Sequence, residues 1–428
     1  MSRFVIHGSN PVGGRHVVPG NKNAALPMIA ATLLADGPVT LRNLPWIRDV
    51  HVMLELLQQL GAKVECDVAA HTARIDPSDA SPRPLDAELC RRVRTSLLFA
   101  GPLLARFGTA AVPSPGGDGI GRRRLDTHFD GLRALGAEIT ETEPFVFRAP
   151  QRLRGRRILF DEASVTATEN VLMAAVLADG ITTLYNAACE PHVQDLCRML
   201  NRMGADISGV GTNRLVVTGV RRLGGTETRI GPDAIEAASY LAAAAATHGT
   251  LEVAGADPEE MEVVARPFAR LGIRWNADPD GTLRLPAEQA MRVASDFGNA
   301  VPSIADGVWP MIPSDVMSAL VVLATRVDGT VLFFEKLFES RLYFVDHLLG
   351  MGARIVQCDP HRILVQGPTP LRGTTVSSPD IRAGMALLIA ALSARGTTVI
   401  HNAESIDRGY ESVEVALRAL GADIERVV

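Results

Sequence analysis

One short motif occurs six times along the chain, and this repeat limits the possible fold more than any other feature of the sequence. In each copy, a Leu-Gly-Ala tripeptide or a close variant ends an amphipathic segment: QQLGAKV, RALGAEI, NRMGADI, ARLGIRW, GMGARIV and RALGADI. Successive glycines of this motif lie 68–80 residues apart. The sequence therefore predicts six repeated units that share one order of helices and strands.

Each unit begins with a helix that is apolar nearly all round, as in AALPMIAATLLA, MAAVLA, YLAAAAA and MALLIAAL. Such a helix is expected to be buried on every side. A glycine, a β-branched strand, an amphipathic helix that ends at the repeated glycine and a final strand follow. Six buried helices predict an α/β protein of two similar domains, each with three units around a bundle of three helices, and a cleft between them.

The expected domain boundary lies near GGTETRIGPD, between units three and four. A strand at the N-terminus, about Met1–Asn21, is left over from the first three units and is expected to complete the second domain. The first predicted domain is therefore 22–229, with the loop around Asp118. The second predicted domain is 1–21 plus 230–428.

Composition excludes several classes of function. The chain has 428 residues and a formal net charge of −5, with no basic tail or face of the kind that binds nucleic acid. The first residues lack a signal-peptide core, and the longest apolar runs are too short to span a bilayer. Five cysteines form no CxxC pair, which favours idle thiols in a reducing cytoplasm over a metal site or disulfides. We expect a cytoplasmic protein without a metal or an organic cofactor.

The first turns of all six apolar helices are polar. Helix N-termini offer unpaired N–H groups and the positive end of the helix dipole, and so they can bind anions. Asp233 and Asp380 are interpreted as ordinary N-caps. Lys22, Arg94 and Arg382 oppose the dipole, and we expect a bound anion to offset them in preference to structural ion pairs.

A glycine-rich loop, SPGGDGIGRRRLDTH (Ser114–His128), interrupts the second unit. From the glycine before the strand to the repeated glycine, this unit has 28 residues, whereas the other five have 23–25. The loop has neither the Gly-Lys-Ser/Thr ending of a phosphate-binding loop nor the GxGxxG spacing of a dinucleotide site. An elongated loop in one repeat of six predicts a lid that carries Asp118, with a solvated turn as the alternative.

Six motifs together carry a resemblance to a known family: GNKNAALP, PGGDGIGRRRLDTH, SVTATEN, IPSD, FESR and IDRGYE. From end to end the chain resembles the enolpyruvyl transferases, whose fold is an inside-out α/β barrel of six repeats in two domains. RRVRTSLLF stands where the shikimate branch has an Asn-Ala-Gly-Thr-type motif, which disfavours that branch. The resemblance implies transfer of the enolpyruvyl group of phosphoenolpyruvate to a sugar hydroxyl of UDP-N-acetylglucosamine, with release of phosphate through a tetrahedral intermediate, for peptidoglycan synthesis.

The resemblance also implies a set of site residues. Asp118 on the loop would be the general acid and Asp315 the general base, with Lys22 and Arg408 also catalytic. The residues implied to bind phosphoenolpyruvate are Lys22, Asn23, Arg123, Arg382 and Arg408. Those implied to bind the nucleotide sugar are Asn23, Arg94, Arg123, Arg124, Leu125, Asp126, Thr127, Glu162, Ala163, Ser164, Val165, Asp315 and Leu337.

Several positions depart from the family pattern. Asp118 stands where most members have cysteine, Arg124 replaces a proline, and Thr166 replaces a glycine. These changes leave two alternatives open. The acceptor could be another uridine nucleotide, such as UMP in nucleoside-antibiotic biosynthesis, or the chain could be a non-catalytic nucleotide-binding protein. As partners we expect only these small substrates, with the chain a monomer or a weak homo-oligomer.

Overall fold

The computed structural model describes residues 2–428, and in that range it contains thirteen α-helices. They are α1 (Lys22–Ala31), α2 (Arg48–Gln59), α3 (Ala87–Arg92), α4 (Ala100–Phe107), α5 (Asp126–Ala134), α6 (Val165–Ala175), α7 (Pro191–Arg202), α8 (Ala234–Ala246), α9 (Pro258–Arg270), α10 (Ser314–Ala324), α11 (Val345–Gly350), α12 (Ile381–Ser393) and α13 (Val413–Ala419). Short 3₁₀ helices occupy Thr32–Leu34, Arg94–Phe99, Phe297–Asn299, Arg341–Phe344 and Ala403–Arg408.

The same residues form 23 β-strands. They are β1 (Arg3–His7), β2 (Gly14–Val17), β3 (Val39–Arg42), β4 (Lys63–Asp67), β5 (Thr72–Asp76), β6 (Thr109–Val112), β7 (Glu138–Thr140), β8 (Phe145–Arg148), β9 (Arg157–Leu159), β10 (Ile181–Tyr185), β11 (Asp206–Ser208), β12 (Arg214–Thr218), β13 (Thr226–Arg229), β14 (Leu251–Ala254), β15 (Asn276–Ala277), β16 (Leu283–Leu285), β17 (Ser303–Ala305), β18 (Gly329–Phe334), β19 (Arg354–Asp359), β20 (Arg362–Gly367), β21 (Thr375–Ser377), β22 (Thr397–His401) and β23 (Asp423–Val427).

The chain forms two compact units. The N-terminal unit comprises Pro19–Gly117 and Arg123–Gly231, and the C-terminal unit comprises the residues up to Val18, Asp118–Arg122 and Pro232–Val428. The predicted domains placed the whole glycine-rich loop with the first three repeats. In the structure, Asp118–Arg122 groups with the C-terminal unit, because this segment contacts Glu339, Ser340 and Arg408.

Each unit contains three sheets. The N-terminal unit has the strand orders β13-β3-β5-β4, β6-β8-β7 and β11-β12-β10-β9, and the C-terminal unit has β15-β16-β14-β2, β17-β18-β20-β19 and β21-β22-β1-β23. In the last of these, β1 lies antiparallel between β22 and β23, with Phe4 opposite Ile400 and Arg426. The N-terminal strand β1 thus occupies the position that a strand of the same repeat occupies in the other sheets. The mixed α/β class is confirmed, and none of the six sheets closes into a barrel within residues 2–428.

The apolar helices are buried as the sequence predicts. In the C-terminal unit α8, α10 and α12 pack on one another, and every residue of α12 is buried. In the N-terminal unit α6 packs against both α1 and α4. The core helix of unit two is shorter than expected, since a 3₁₀ helix over Arg94–Phe99 precedes α4. Each unit has its own apolar core.

The six repeated glycines end the outer helices. All of them, Gly61, Gly136, Gly204, Gly272, Gly352 and Gly421, have φ between +75° and +106°. A side chain is disfavoured in this left-handed region, which explains why glycine recurs at the position. The helix ends predicted from the motif are therefore confirmed.

Within residues 2–428, no helix combines the length and the apolar character needed to cross a membrane. The same residues hold no group of three or more His, Cys, Asp and Glu side chains placed to bind a metal ion.

Candidate active site

Asp315 lies between two buried arginines in the C-terminal unit. It is in the first turn of α10 and is the one residue of that helix that is not buried. Its Oδ1 accepts from Nη2 of Arg341 at 2.8 Å, and its Oδ2 accepts from Nε of Arg382 at 3.0 Å. Arg341 is 3% exposed and Arg382 is 5% exposed. Two charge-assisted bonds therefore fix the orientation of this carboxylate.

Arg382 is held at the start of α12. The Asp380 carboxylate caps this helix by accepting from the main-chain N–H groups of Arg382 at 2.8 Å and Ala383 at 2.9 Å. The Arg382 guanidinium lies 5.5 Å from the centre of the Tyr410 ring. Burial opposes its charge, but Asp315 and Tyr410 raise the pKa of Arg382. Asp233 caps α8 in the same way, so the capping interpretation of both aspartates is confirmed.

The loop acid contacts a cation of the same unit. Oδ1 of Asp118 lies 2.5 Å from Nη1 of Arg408, the last residue of the 3₁₀ helix Ala403–Arg408. The loop is fixed by Arg122 N–H donating to Glu339 at 2.8 Å and by Ser340 N–H donating to the carbonyl of Ile120 at 3.1 Å. Gly121 has φ +130°, and a Cβ there would lie 2.5 Å from Oε2 of Glu339. The backbone can approach Glu339 this closely only at a glycine.

Lys22 is buried at the start of α1 in the N-terminal unit. Its Nζ lies 2.8 Å from Oδ2 of Asp49, and both residues are buried. Asn21 caps this helix, and Asn23 is the one residue of α1 that is not buried. The expected bound anion is therefore replaced, at Lys22 and at Arg382, by a carboxylate of the protein.

Basic groups also meet within the N-terminal unit. Nη2 of Arg94 donates to the carbonyl of Arg123 at 2.8 Å and to that of Arg124 at 3.3 Å. Burial and the charge of Arg123 lower the pKa of Arg94 to about 10. Two like charges held together in this way favour binding of an anion.

The segments implied to bind a nucleotide come together in the N-terminal unit. Arg124 forms ion pairs with Asp126 at 2.9 Å and with Asp161 at 2.7 Å. The hydroxyl of Thr127 lies 3.1 Å from Asp161 Oδ1 and 3.2 Å from Glu162 Oε1. The hydroxyl of Ser164 caps α6, which begins at Val165. Of the remaining residues implied to bind the nucleotide sugar, Leu125 and Ala163 flank these contacts in sequence, and Leu337 is in the C-terminal unit, 42% exposed.

His128 directly follows Thr127 in the chain and is not among the predicted site residues. Its ring is buried, and its Nδ1 lies 3.1 Å from Nδ2 of Asn170. Because Oδ1 of Asn170 accepts from Gly101 N–H, Nδ2 is the donor, and Nε2 of His128 must then donate to Thr166 Oγ1 at 3.1 Å. Burial, followed by the charges of Arg94 and Arg123, lowers the pKa of His128 to about 3.

This neutral histidine predicts a loss of stability in acid. The unfolded chain takes up the proton near pH 6.5, whereas the folded chain does so only near pH 3. The contribution of His128 is therefore present above about pH 6.5 and is lost as the pH falls toward 3, by roughly 3–5 kcal/mol. Urea unfolding between pH 7.5 and 4 should show a shallower decline for His128→Asn than for the wild type. His248→Asn, at an exposed position with φ +57°, is the matched control, and equal slopes for all three proteins would contradict the assignment.

Sequence reasoning also missed three partners of the predicted residues. Arg341 is the last residue of FESR, but the resemblance assigns it no role, and Asp49 and Glu335 lie outside the six motifs. A charged residue directly after an apolar strand, as Glu335 follows β18, is the signal that could have found the last of them.

Comparison with known proteins identifies the class. Residues 6–417 match the family model described as EPSP synthase (3-phosphoshikimate 1-carboxyvinyltransferase). The solved structure of the enolpyruvyl transferase NikO from Streptomyces tendae has a TM-score of 0.88 at 25% identity, covering 100% of this chain and 99% of that one. EPSP synthase from Acinetobacter baumannii has a TM-score of 0.77 at 19% identity over the full length of both chains, which shows the shared fold. The chain belongs to the EPSP synthase family of enolpyruvyl transferases, and it is an enzyme of that class.

Within this family, eight curated relatives at 45–49% identity carry one name. The chain is 49% identical to UDP-N-acetylglucosamine 1-carboxyvinyltransferase of Treponema denticola, covering 99% of both proteins. It is 48% identical to the enzyme of the same name from Borreliella burgdorferi, covering 100% of this chain and 99% of the relative.

Proposed function

We propose that this enzyme transfers the enolpyruvyl group of phosphoenolpyruvate to a sugar hydroxyl of UDP-N-acetylglucosamine and releases phosphate. The observation that carries the proposal is the 45–49% identity, over the whole chain, to relatives named for this reaction. The reaction would supply a precursor for peptidoglycan. We place it in the cytoplasm and expect the enzyme to act as a monomer or a weak homo-oligomer.

Cationic residues would bind the donor. Phosphoenolpyruvate carries a phosphate and a carboxylate, and we assign these groups to Lys22, Arg123, Arg382 and Arg408. Lys22 and Arg382 are already buried against carboxylates, which supports their use as fixed charges. Fixed cations stabilise the phosphate in the intermediate and as it leaves.

Two aspartates would move the protons. Asp118 donates a proton to the methylene carbon of phosphoenolpyruvate, and the sugar hydroxyl attacks the neighbouring carbon while Asp315 takes the hydroxyl proton. In the elimination, the Asp118 carboxylate takes a proton from the new methyl group while the carbon–oxygen bond to phosphate breaks. The departing phosphate takes the electrons of that bond and the proton held by Asp315, which restores both aspartates. Asp118 contacts Arg408, so an anion bound to Arg408 would compete with Asp118 for that guanidinium.

The nucleotide would bind in the N-terminal unit, with Asn23 on the acceptor sugar. Arg94 and Arg123 supply positive charge for the diphosphate, and the contacts among Arg124, Thr127 and Asp161 order the segments beside it. Leu337 is assigned to packing near the nucleotide. UMP is the second candidate acceptor. The fold shared with the enolpyruvyl transferase NikO is consistent with this alternative but does not favour it, and the 25% identity to NikO is well below the 49% identity to a UDP-N-acetylglucosamine enzyme.

An acceptor panel tests the proposal. Phosphate release from phosphoenolpyruvate is measured with UDP-N-acetylglucosamine, UMP and UDP-glucose at equal concentrations. We expect release with UDP-N-acetylglucosamine, and mass spectrometry should show the enolpyruvyl product. Phosphate release with UMP alone would identify UMP as the acceptor. Binding of a nucleotide without phosphate release in any of the three assays would contradict an enzymatic role.

Resistance to fosfomycin is a second expected result. In the family this epoxide alkylates the loop cysteine, and here the position holds Asp118, whose carboxylate is a poorer nucleophile than a thiolate. Wild-type activity should survive incubation with fosfomycin, whereas Asp118→Cys should be modified at that residue, as detected by intact mass. Asp130→Cys, at an exposed position of α5, is the control for nonspecific alkylation. Irreversible, time-dependent inactivation of the wild type at low drug concentration would contradict this expectation.

A further inference from the structure

Two acidic side chains are buried side by side in the C-terminal unit, behind the Asp315 carboxylate. Strands β17 and β18 are parallel, with Ala305 opposite Phe334, so the next residue of each strand, Asp306 and Glu335, is brought to the same place. Both residues are fully buried. A charged carboxylate pair without a proton is costly in such surroundings.

The surroundings of this pair favour one bound proton. Asp306 Oδ1 accepts from the main-chain N–H of Lys336 at 2.5 Å, and its buried Oδ2 has no donor group of the protein. Burial, together with the neighbouring Asp306 carboxyl, raises the pKa of Glu335 to about 8. A proton shared between the two carboxyls accounts for the atom that otherwise lacks a donor. Near pH 7 the pair therefore carries one negative charge.

A chain of hydrogen bonds links this pair to Asp315. The Ser314 hydroxyl lies 2.9 Å from both carboxylate oxygens of Glu335, and it accepts from Nε of Arg341 at 3.1 Å. A serine hydroxyl has one hydrogen, so its donation to Glu335 leaves a lone pair for Arg341. Nη2 of the same arginine contacts Asp315. The main-chain N–H groups of Leu337 and Phe338 also donate to Glu335 and fix its rotamer.

The charge on the acid pair affects how Arg341 is held. Arg341 contacts Asp315 directly and the acid pair through Ser314, and the charge of the Asp380 carboxylate also acts on it. Of the charged groups, Asp306 and Arg341 face the Glu335 carboxyl, while His361 contacts only its main-chain oxygen, at 2.7 Å. A second negative charge on the pair would attract Arg341 away from Asp315.

We infer that the Asp306–Glu335 pair positions the general base, because its single shared proton orients Ser314 and thereby holds Arg341 against Asp315. The inference rests on the proposed role of Asp315. Neither acid touches the reacting atoms in this account, so both are positioning residues. The pair thereby makes the orientation of the Asp315 carboxylate depend on pH.

Glu335→Gln tests the inference most directly. The amide oxygen can still accept from Ser314 and the two N–H groups, and the amide nitrogen can donate to Asp306, so the shape is kept while the charge moves away from Arg341. We expect kcat at pH 7 to fall by roughly ten- to hundredfold with the KM for phosphoenolpyruvate changed by less than about threefold. Glu262→Gln, on the exposed face of α9, is the matched control.

The pH profile of kcat distinguishes a positioning role of the acid pair from a purely structural one. The wild type should lose activity above about pH 8, where the pair gains its second charge. In Asp306→Asn the amide N–H takes the place of the shared proton, so this variant should lack the alkaline decline. If circular dichroism shows that Glu335→Gln does not fold, the pH profile of Asp306→Asn is the test of the inference. Wild-type kcat in folded Glu335→Gln, or an unchanged alkaline decline in Asp306→Asn, would overturn the inference.

Parallel measurement of Asp315→Asn separates the two proposals. If that variant keeps its activity, the proposed role of Asp315 fails and the inference falls with it. If Asp315→Asn is inactive and folded Glu335→Gln is fully active, only the role of the acid pair is wrong.

Discussion

Replacing Asp118 with asparagine is expected to abolish turnover while leaving substrate binding largely intact. The amide has the same shape and can still accept a hydrogen bond from Arg408, whose Nη1 lies 2.5 Å from Asp118 in the wild type. It cannot donate an acidic proton to carbon, so the first step of the addition loses its proton donor. General acid catalysis is worth about 10²–10⁴-fold, and kcat should fall by at least that factor.

Steady-state kinetics together with calorimetric titration of UDP-N-acetylglucosamine measure the two effects separately. Asp130→Asn makes the same chemical change on the exposed surface of α5 and should match the wild type in both measurements. A near-wild-type kcat for Asp118→Asn would remove this residue from the mechanism. A loss of binding equal to the loss of turnover would instead assign it to substrate recognition.

Replacing Asp315 with asparagine should lower kcat by a comparable factor for the opposite reason. The amide cannot take the hydroxyl proton of the acceptor, so the attacking oxygen stays neutral and poorly nucleophilic. The change also leaves two buried guanidinium groups, those of Arg341 and Arg382, without their shared carboxylate. We therefore expect a loss of about 10²–10⁴-fold in kcat and a lower melting temperature.

The pH dependence distinguishes these two effects of the Asp315 change. Residual activity that rises with pH would show that hydroxide or another base replaces the missing carboxylate. Asp346→Asn, on an exposed turn of α11, is the matched control for the substitution itself. Folded Asp315→Asn with kcat within about threefold of the wild type would contradict the role as base.

The repeated architecture could be predicted from sequence because its signals are local. A glycine at the end of each outer helix takes a conformation that other residues avoid, and an all-apolar helix has no face to present to water. Both features appear within one unit and recur six times. The exception is unit two, where the polar segment before α4 forms a 3₁₀ helix that hydrophobicity alone does not reveal.

The partners within the site could not be predicted, since they depend on contacts between residues far apart in the chain. Asp118 and Arg408 are separated by 290 positions, and Arg382 and Asp315 by 67. Sequence reasoning correctly identified that buried cations at helix starts need negative charge. It could not show that Asp49 and Asp315 supply that charge.

The acid pair at Asp306 and Glu335 shows a second reason why sequence alone could not predict the site. Each residue alone resembles an ordinary charged residue at the end of a strand, and only the parallel register of β17 and β18 brings the two together. Their shared proton follows from burial and from the missing donor at Asp306 Oδ2, which are properties of the folded chain.

Uptake of deuterium from solvent tests the proposed addition and elimination most directly. The enzyme is assayed in deuterium oxide with unlabelled phosphoenolpyruvate and UDP-N-acetylglucosamine, and the product is analysed by mass spectrometry and NMR. If an exchangeable group such as Asp118 protonates the methylene carbon, the methyl group of the intermediate holds one deuteron and two protons. Because this group can rotate before the elimination removes one of the three, most of the enolpyruvyl product should contain deuterium at that carbon. A product formed at full yield with no deuterium there would contradict the mechanism.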